Sequence, residues 1–287
     1  LKTIEEYVSQ IKTIPVLPEM ANRILRMAEE PSVNIKDVAG EIQKDPAITA
    51  RILKVINSSF YAMRREVSSV QQAVTLLGLQ QVRNLVVTLL VVNRFKEPPE
   101  AFYKMSQFWN HSLGVALISQ ILSKKFDYEQ QADLYLAGLL HDIGKIMFQV
   151  YFPEELEEAK TYLDKEKCTM FEAECHVYGF SHAELGAWIA EKWNLPRLLK
   201  LGIQYHHDCE ASPDTLFAAL LQASDQITKS RLYAVYGDQH VDFIFEDEPC
   251  WKFLFDHYKI DLDMERFLLE MDDEIQKAKE LVETAME

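Results

Sequence analysis

No stretch of this chain reaches the roughly 18 consecutive apolar residues that a membrane-spanning helix needs. The most apolar run, Leu85 to Val92, is short and lies between Arg83 and Arg94, so it reads as a buried helix. Glycine and proline are scarce, at 9 and 10 of 287 residues, which leaves little turn material for a β-sandwich. The four cysteines, Cys168, Cys175, Cys209 and Cys250, form no CxxC pair. The opening LKTIEEYV has neither a signal-peptide pattern nor an initiator Met. A reduced, cytoplasmic setting with no membrane contact is the expectation.

Positive charge is also in short supply. Lys and Arg number 30 against 45 Asp and Glu, a net of -15. The deficit is uneven: residues 1–100 carry 13 basic and 11 acidic side chains, residues 101–287 carry 17 and 34. Binding to nucleic acid requires Lys and Arg opposite phosphates, so nucleic acid is disfavoured as a partner. The densest acidic excess lies after residue 237, with 16 acidic against 5 basic residues, and suits solubility or a basic partner for the tail.

What the chain does have is helical periodicity almost throughout. Pro18 suits a first helical turn ahead of Met20, Ile24, Leu25 and Ala28. Asn34 and Ser69 suit caps, and Asp45-Pro46 separates two short helices. Leu79 to Phe95 reads as one long buried helix. Further helical patterns fall near 101–126, 129–149, 153–165, 182–194, 196–207 and 213–229, and the tail from about 250 repeats the spacing. Val241 to Phe245 is the one tempting strand. The fold class expected is all-α, a multi-helix bundle preceded by an N-terminal helical subdomain. Lys96 to Glu100 (KEPPE) is the candidate linker, so the expected division is 1–97, 101–230 and an acidic, mainly helical extension over 231–287. Two helix-turn-helix candidates, Val38 to Ile56 and Ala73 to Val87, offer few side chains able to reach a groove and read as packing rather than as a DNA-binding regulator.

The chemistry concentrates in 111–225. His111 opens the run HSLGVALISQIL, His141 and Asp142 end LYLAGLLHDIGK, His182 begins SHAELGAWIAEKW, His206 and His207 end LLKLGIQYHHD, and Asp225 lies in LFAALLQASDQI. Any one of these has a bland reading as a hydrogen-bonded core residue. Together, five imidazoles and two carboxylates set into apolar helices demand compensation, because a carboxylate buried without a partner costs several kcal/mol. Imidazole plus carboxylate is the ligand set of Fe, Mn, Ni or Zn. On one helix His141 and Asp142 would diverge by about 100° and still reach one ion, while Asp142 has a second oxygen for another. Lys145, a turn on, is placed to orient a carboxylate or to meet a phosphate. His176, His240 and His257 fit no such position, and Trp109, Trp188 and Trp193 read as core.

The order His, His-Asp, Lys, His, His-His, Asp resembles the HD superfamily of metal-dependent phosphohydrolases. The stretches IPVLPEMANRILRMAEEP, IQKDPAITARILKVINSSFY, VQQAVTLLGLQQVRNLVV, GLLHDIGKIMFQVYFPEE and SHAELGAWIAEKWNLPRLLKLGIQYHHD resemble more closely the HD-related output domain, HDOD, from about residue 10 to about 230. That resemblance implies an N-terminal HDOD subdomain, an HD-like metal-site domain, and signal transduction through protein partners. It also implies one or two divalent transition metal ions. One would be held by His111, His141, Asp142 and Asp225, the other by Asp142 as a bridge with His182, His206 and His207. Lys145 and Asp142 would be the catalytic groups if the chain is a phosphohydrolase acting on a nucleotide or cyclic nucleotide, with nucleotide or phosphate bound at the metal. The Gly-Tyr-Pro that follows His-His in cyclic di-GMP phosphodiesterases of the HD-GYP type is replaced here by Asp208-Cys209-Glu210, so that activity is not implied.

Overall fold

A computed structural model describes residues 3–11, 16–30, 32–95, 101–233, 244–260 and 263–272. Fifteen α-helices bounded within them, a further helical run over 264–272 and no strand occur among them. By sequence order they are α1 (Ile4–Val8), α2 (Glu19–Glu29), α3 (Ile35–Gln43), α4 (Pro46–Ile56), α5 (Val70–Leu77), α6 (Leu79–Val92), α7 (Met105–Lys125), α8 (Gln131–Leu140), α9 (Ile143–Tyr151), α10 (Pro153–Glu166), α11 (Met170–Tyr178), α12 (His182–Lys192), α13 (Arg197–Tyr205), α14 (Thr215–Thr228) and α15 (Pro249–Tyr258). No described helix is long and apolar enough to cross a membrane. Residues 96–100, 241–243 and 273–287, which include the candidate linker and most of the candidate strand, lie outside the described residues; Phe245 belongs to a short 3-10 turn.

The chain divides into two units by the density of its contacts: Pro15–Lys96 with Gln276–Glu287, and Leu1–Ile14 with Glu97–Ile275. In the first, α6 packs against α2, α4 and α5. Its run Val82 to Leu89 is buried on every side, Arg83 and Asn84 included, which explains the largely apolar sequence from Leu85 on. Local signals set the helix starts. Asn34 caps α3 through Lys36 N (2.9 Å), Asp45 caps α4 with Pro46 in the first turn, and Ser69 caps α5. Gly78, at φ 85°, supplies the left-handed residue that joins α5 to α6.

The second unit is built on α7, which packs against α8 and α14. The closest approach is at Gly138 of α8. A Cβ there would lie 2.8 Å from the Ala116 Cα, so only glycine lets the α7 and α8 backbones meet. Helix α13 packs on α8, α12 on both α9 and α13, and α15 on α14. Val115, Ile118, Leu122, Leu134, Phe217, Leu221, Trp251 and Phe267 share one core cluster beneath these helices. Reciprocal capping boxes, Thr169 with Glu172 and Ser181 with Glu184, start α11 and α12.

Three local features differ from the sequence reading. The pattern expected as one helix over 129–149 is two helices, broken at His141-Asp142. Helix α7 starts at Met105, a few residues later than the expected 101, with His111 well inside it. Helix α11, over 170–178, is an additional helix: its apolar positions are interrupted by acids, which masks the period.

Candidate metal centre

Five segments converge on one buried place. His111 comes from the middle of α7 and Asp225 from α14; His141 and Asp142 form the turn between α8 and α9; His182 opens α12; His206 and His207 follow α13. The break at His141-Asp142 is what aims this pair. Asp142 holds the N-cap position of α9, where an Asp ordinarily accepts a backbone N–H, yet its side chain makes no cap hydrogen bond and turns to the cluster instead. The two side chains therefore converge through a backbone turn, not through their angular spacing on one helix.

Gly144 fixes the next contact. A Cβ at this position would lie 2.0 Å from the His182 carbonyl oxygen, so the start of α9 rides directly on the start of α12. The result is short distances. Asp142 Oδ1 is 3.1 Å from His182 Nε2 and 3.6 Å from His206 Nε2, while its Oδ2 is 3.4 Å from His141 Nε2 and 3.6 Å from His111 Nε2. Asp225 Oδ1 is 3.2 Å from His111 Nε2 and 3.8 Å from His141 Nε2. Candidate ligand atoms of Asp142, His182, His206 and His207 all lie within 4.8 Å of one another, and so do those of His111, His141 and Asp142. All these residues are buried except His207, which is half-buried against Phe171 at 4.7 Å between ring centroids.

The ring nitrogens show what the arrangement lacks. His141 Nδ1 is 2.8 Å from the Gly138 carbonyl and His206 Nδ1 is 2.7 Å from the Ile203 carbonyl. A carbonyl only accepts, so each Nδ1 carries the proton and each Nε2 presents a bare lone pair. Each of these Nε2 atoms faces another ring nitrogen. His141 Nε2 faces His111 Nε2 at 3.2 Å, His206 Nε2 faces His182 Nε2 at 3.3 Å, and His207 Nε2 faces His182 Nε2 at 3.0 Å. Asp142 Oδ1 and Asp225 Oδ1 are buried without a well-aligned hydrogen bond, each with an imidazole Nε2 3.1–3.2 Å away. Converging ring nitrogens and buried carboxylate oxygens fit a cation at their centre, and the Nδ1 bonds are of the kind that orient imidazole ligands.

Charge around the cluster is arranged to match. Lys145 is fully buried and donates to Asp142 Oδ2 at 2.9 Å; Lys229, at the first position of a π-helical turn after α14, reaches Asp225 Oδ2 at 2.8 Å. Burial opposes charge on Asp142, but His141 and Lys145 beside it hold its carboxyl well below the usual range. Asp225 behaves alike: burial opposes its charge, and Lys229 and His111 outweigh it. Burial drives His206 down to about 4 and pushes His111 and His207 down as well, so all three rings are neutral and free to ligate. His182 is the exception. Burial lowers it too, yet the carboxylate of Glu174, 2.5 Å from Nδ1, carries it up to about 9.

The structure thus brings together every residue singled out by the sequence: His111, His141, Asp142, Lys145, His182, His206, His207 and Asp225. Lys229 and Glu174 are additional. Lys229 follows Asp225 by one helical turn and was legible as an i, i+4 pair. Glu174 sits on the buried stripe of α11 with Met170, Ala173 and Tyr178, an acid where the period asks for an apolar residue. His176 stacks on Tyr162 and His257 on Phe253, both away from the cluster; His240 lies outside the described residues. Trp109 and Trp193 are buried, whereas Trp188 is half-buried with Lys192 over its ring.

A family model described as the HDOD domain matches residues 14–209. An uncharacterized protein of Treponema pallidum is 28% identical over 206 residues, covering 71% of this chain and 40% of that protein. Ribonuclease Y of Syntrophomonas wolfei is 28% identical over 189 residues, covering 63% of this chain and 29% of the enzyme. The chain therefore spans less than half the length of these curated relatives. Among solved structures, an HDOD domain protein of unknown function from Geobacter sulfurreducens superposes with a TM-score of 0.85 at 30% identity, over 97% of this chain and 95% of that one.

Proposed function

The chain belongs to the HDOD domain family, and from that premise we propose that it is a signal-transduction protein with a two-ion metal centre, acting through protein partners. The observation that carries the metal centre is the convergence of five imidazole Nε2 atoms and the buried oxygens of Asp142 and Asp225 on one place, with ring nitrogens facing one another at 3.0–3.3 Å. One ion would be held by His111, His141, Asp142 and Asp225, the other by Asp142, His182, His206 and His207. The ligand set suits Fe, Mn, Ni or Zn. The role as a module that passes a signal to partners is what the HDOD resemblance implies.

A second reading, hydrolysis of a nucleotide or cyclic nucleotide, is favoured by the completeness of the cluster and by a named ribonuclease among the relatives. Bound metal would supply Lewis acidity and a hydroxide nucleophile near neutral pH. The chain's own contribution would be to hold the ligands rigid and to exclude bulk water, since only His207 has an exposed edge. Lys145 and Lys229 would keep Asp142 and Asp225 ionised and so ready to ligate. Phosphoryl groups would enter past His207 and Phe171.

The two readings separate in one experiment. Chelator-stripped protein is reloaded with Fe(II) or Mn(II) and assayed on a panel of phosphodiesters alongside Asp142→Ala. Metal uptake without turnover supports the signalling reading. Turnover that disappears in Asp142→Ala supports the hydrolase. Failure of the stripped chain to take up any transition metal refutes both.

A further inference from the structure

Glu174 is a buried acid paired with an imidazole, His182, rather than with a lysine or arginine. It is fully buried on α11, and among the described residues no Lys or Arg lies within 4 Å of it. Its Oε2 accepts from the His182 backbone N–H at 2.8 Å and lies 2.5 Å from His182 Nδ1. Its Oε1 is buried with no hydrogen bond. A carboxylate so placed costs several kcal/mol unless positive charge sits close by, and His182 is the one group that connects it to any.

The other oriented rings are treated differently. His141 and His206 donate Nδ1–H to neutral main-chain carbonyls, whereas His182 is held by a full negative charge. An imidazole bonded to a carboxylate is the more basic ligand, and its ring is locked in one tautomer. The charges around the cluster give this contact a purpose. Asp142 and Asp225 are each matched by a lysine, Lys145 and Lys229. The half made by Asp142, His182, His206 and His207 therefore holds three imidazoles and one carboxylate that is already neutralised. Without Glu174 it would offer a divalent cation no net negative charge.

We propose that Glu174 is a positioning residue for the ion held by Asp142, His182, His206 and His207, fixing the His182 ring and supplying the charge that lets this half of the centre retain a divalent cation. The assignment rests on the two-ion reading above. It makes the two halves unequal: Glu174 bonds to His182, so the half with His111, His141 and Asp225 keeps its affinity when Glu174 is neutralised, and the other half is weakened.

Glu174→Gln is the test, because the amide oxygen can still accept from both His182 donors while the charge is gone. The full-length chain is stripped with chelator and titrated with Mn(II), read by calorimetry and by electron paramagnetic resonance of free and coupled ions. The wild type is expected to bind two ions and to show the signal of a coupled pair. Glu174→Gln is expected to bind one with unchanged affinity, to bind the second about 10–100-fold more weakly, and to lose the coupled signal. Glu174→Asp keeps the charge and is expected to hold the second ion more tightly than Glu174→Gln; the reverse order overturns the assignment. Two wild-type affinities in Glu174→Gln, or equal weakening of both ions with a loss of fold, also overturn it while leaving the two-ion reading intact. A wild-type chain that takes up no Mn(II), Fe(II) or Zn(II) defeats the two-ion reading itself, and the role of Glu174 with it.

Discussion

A methyl group at position 144 has nowhere to go. The Cβ of Gly144→Ala would stand 2.0 Å from the carbonyl oxygen of His182, and ordinary van der Waals contact begins near 3.4 Å. Relief requires the starts of α9 and α12 to separate by about 1.4 Å, the difference between those two distances. The oxygen belongs to backbone, and the His182 N–H on the same residue is tied to Glu174, so no flexible side chain can absorb the shift. Asp142 stands just ahead of α9 and His182 opens α12. Added along their separation, the displacement takes Asp142 Oδ1 to His182 Nε2 from 3.1 Å to about 4.5 Å. Overpacking of this kind costs about 1–3 kcal/mol, or a fall of several degrees in Tm for a unit of this size. Misplacing a ligand by about 1 Å costs far more in function, about 100-fold. Gly144→Ala is therefore expected to fold, to melt several degrees lower, and to lose the ion that needs Asp142 and His182 together. Scanning calorimetry and metal titration on the same preparation measure both. A variant that holds two ions as tightly as the wild type refutes the close-approach argument, whatever its Tm.

Further expectations concern the charges. In the metal-free chain, burial lowers and Glu174 raises the His182 pKa, with a net rise from 6.5 to about 9. A raised folded value contributes its stability fully below pH 6.5 and loses it as pH climbs through 9. The Tm of stripped protein should fall across that window, and a flat profile would contradict the shift. For the same reason, loading metal at about pH 7.5 should release close to one proton from His182 and none from His206, which is already neutral with a pKa near 4. Calorimetry in two buffers of different ionisation enthalpy counts that proton. Lys145→Met should leave Asp142 Oδ2 buried without its cation. Breaking a buried pair on one side costs about 3–5 kcal/mol, measurable by denaturant unfolding of stripped protein, and bound metal should restore part of the loss. Equal stability with and without Lys145 would show that the pair is solvated.

The all-α fold and the gathering of eight residues into one centre were legible because each signal was local. Apolar periodicity drew α6, α7 and α14, and caps at Asn34, Asp45 and Ser69 marked helix starts. Histidines and aspartates inside apolar runs identified themselves by their burial cost. The break between α8 and α9 was not legible, since LYLAGLLHDIGKIMFQV keeps its helical period straight through the turn, and the residues Asp142 faces lie far off in sequence, on α7, on α12 and just after α13. Helix α11 was hidden by Glu172 and Glu174 within its short apolar pattern, and with it the contact to His182, which spans eight residues and a loop. The role of Gly144 is equally nonlocal: its neighbour in space is 38 positions away in sequence, by the difference between 182 and 144.

The number and spacing of ions at Asp142 decide the account. Protein reloaded with one transition metal, analysed for bound metal per chain and then by anomalous diffraction at that metal's absorption edge, should show two ions about 3.5–4 Å apart. One should lie among His111, His141 and Asp225, the other among His182, His206 and His207, with Asp142 between them. Wild-type protein that stays free of metal after reloading, with Asp142 engaged by Lys145 and the histidines alone, would contradict it.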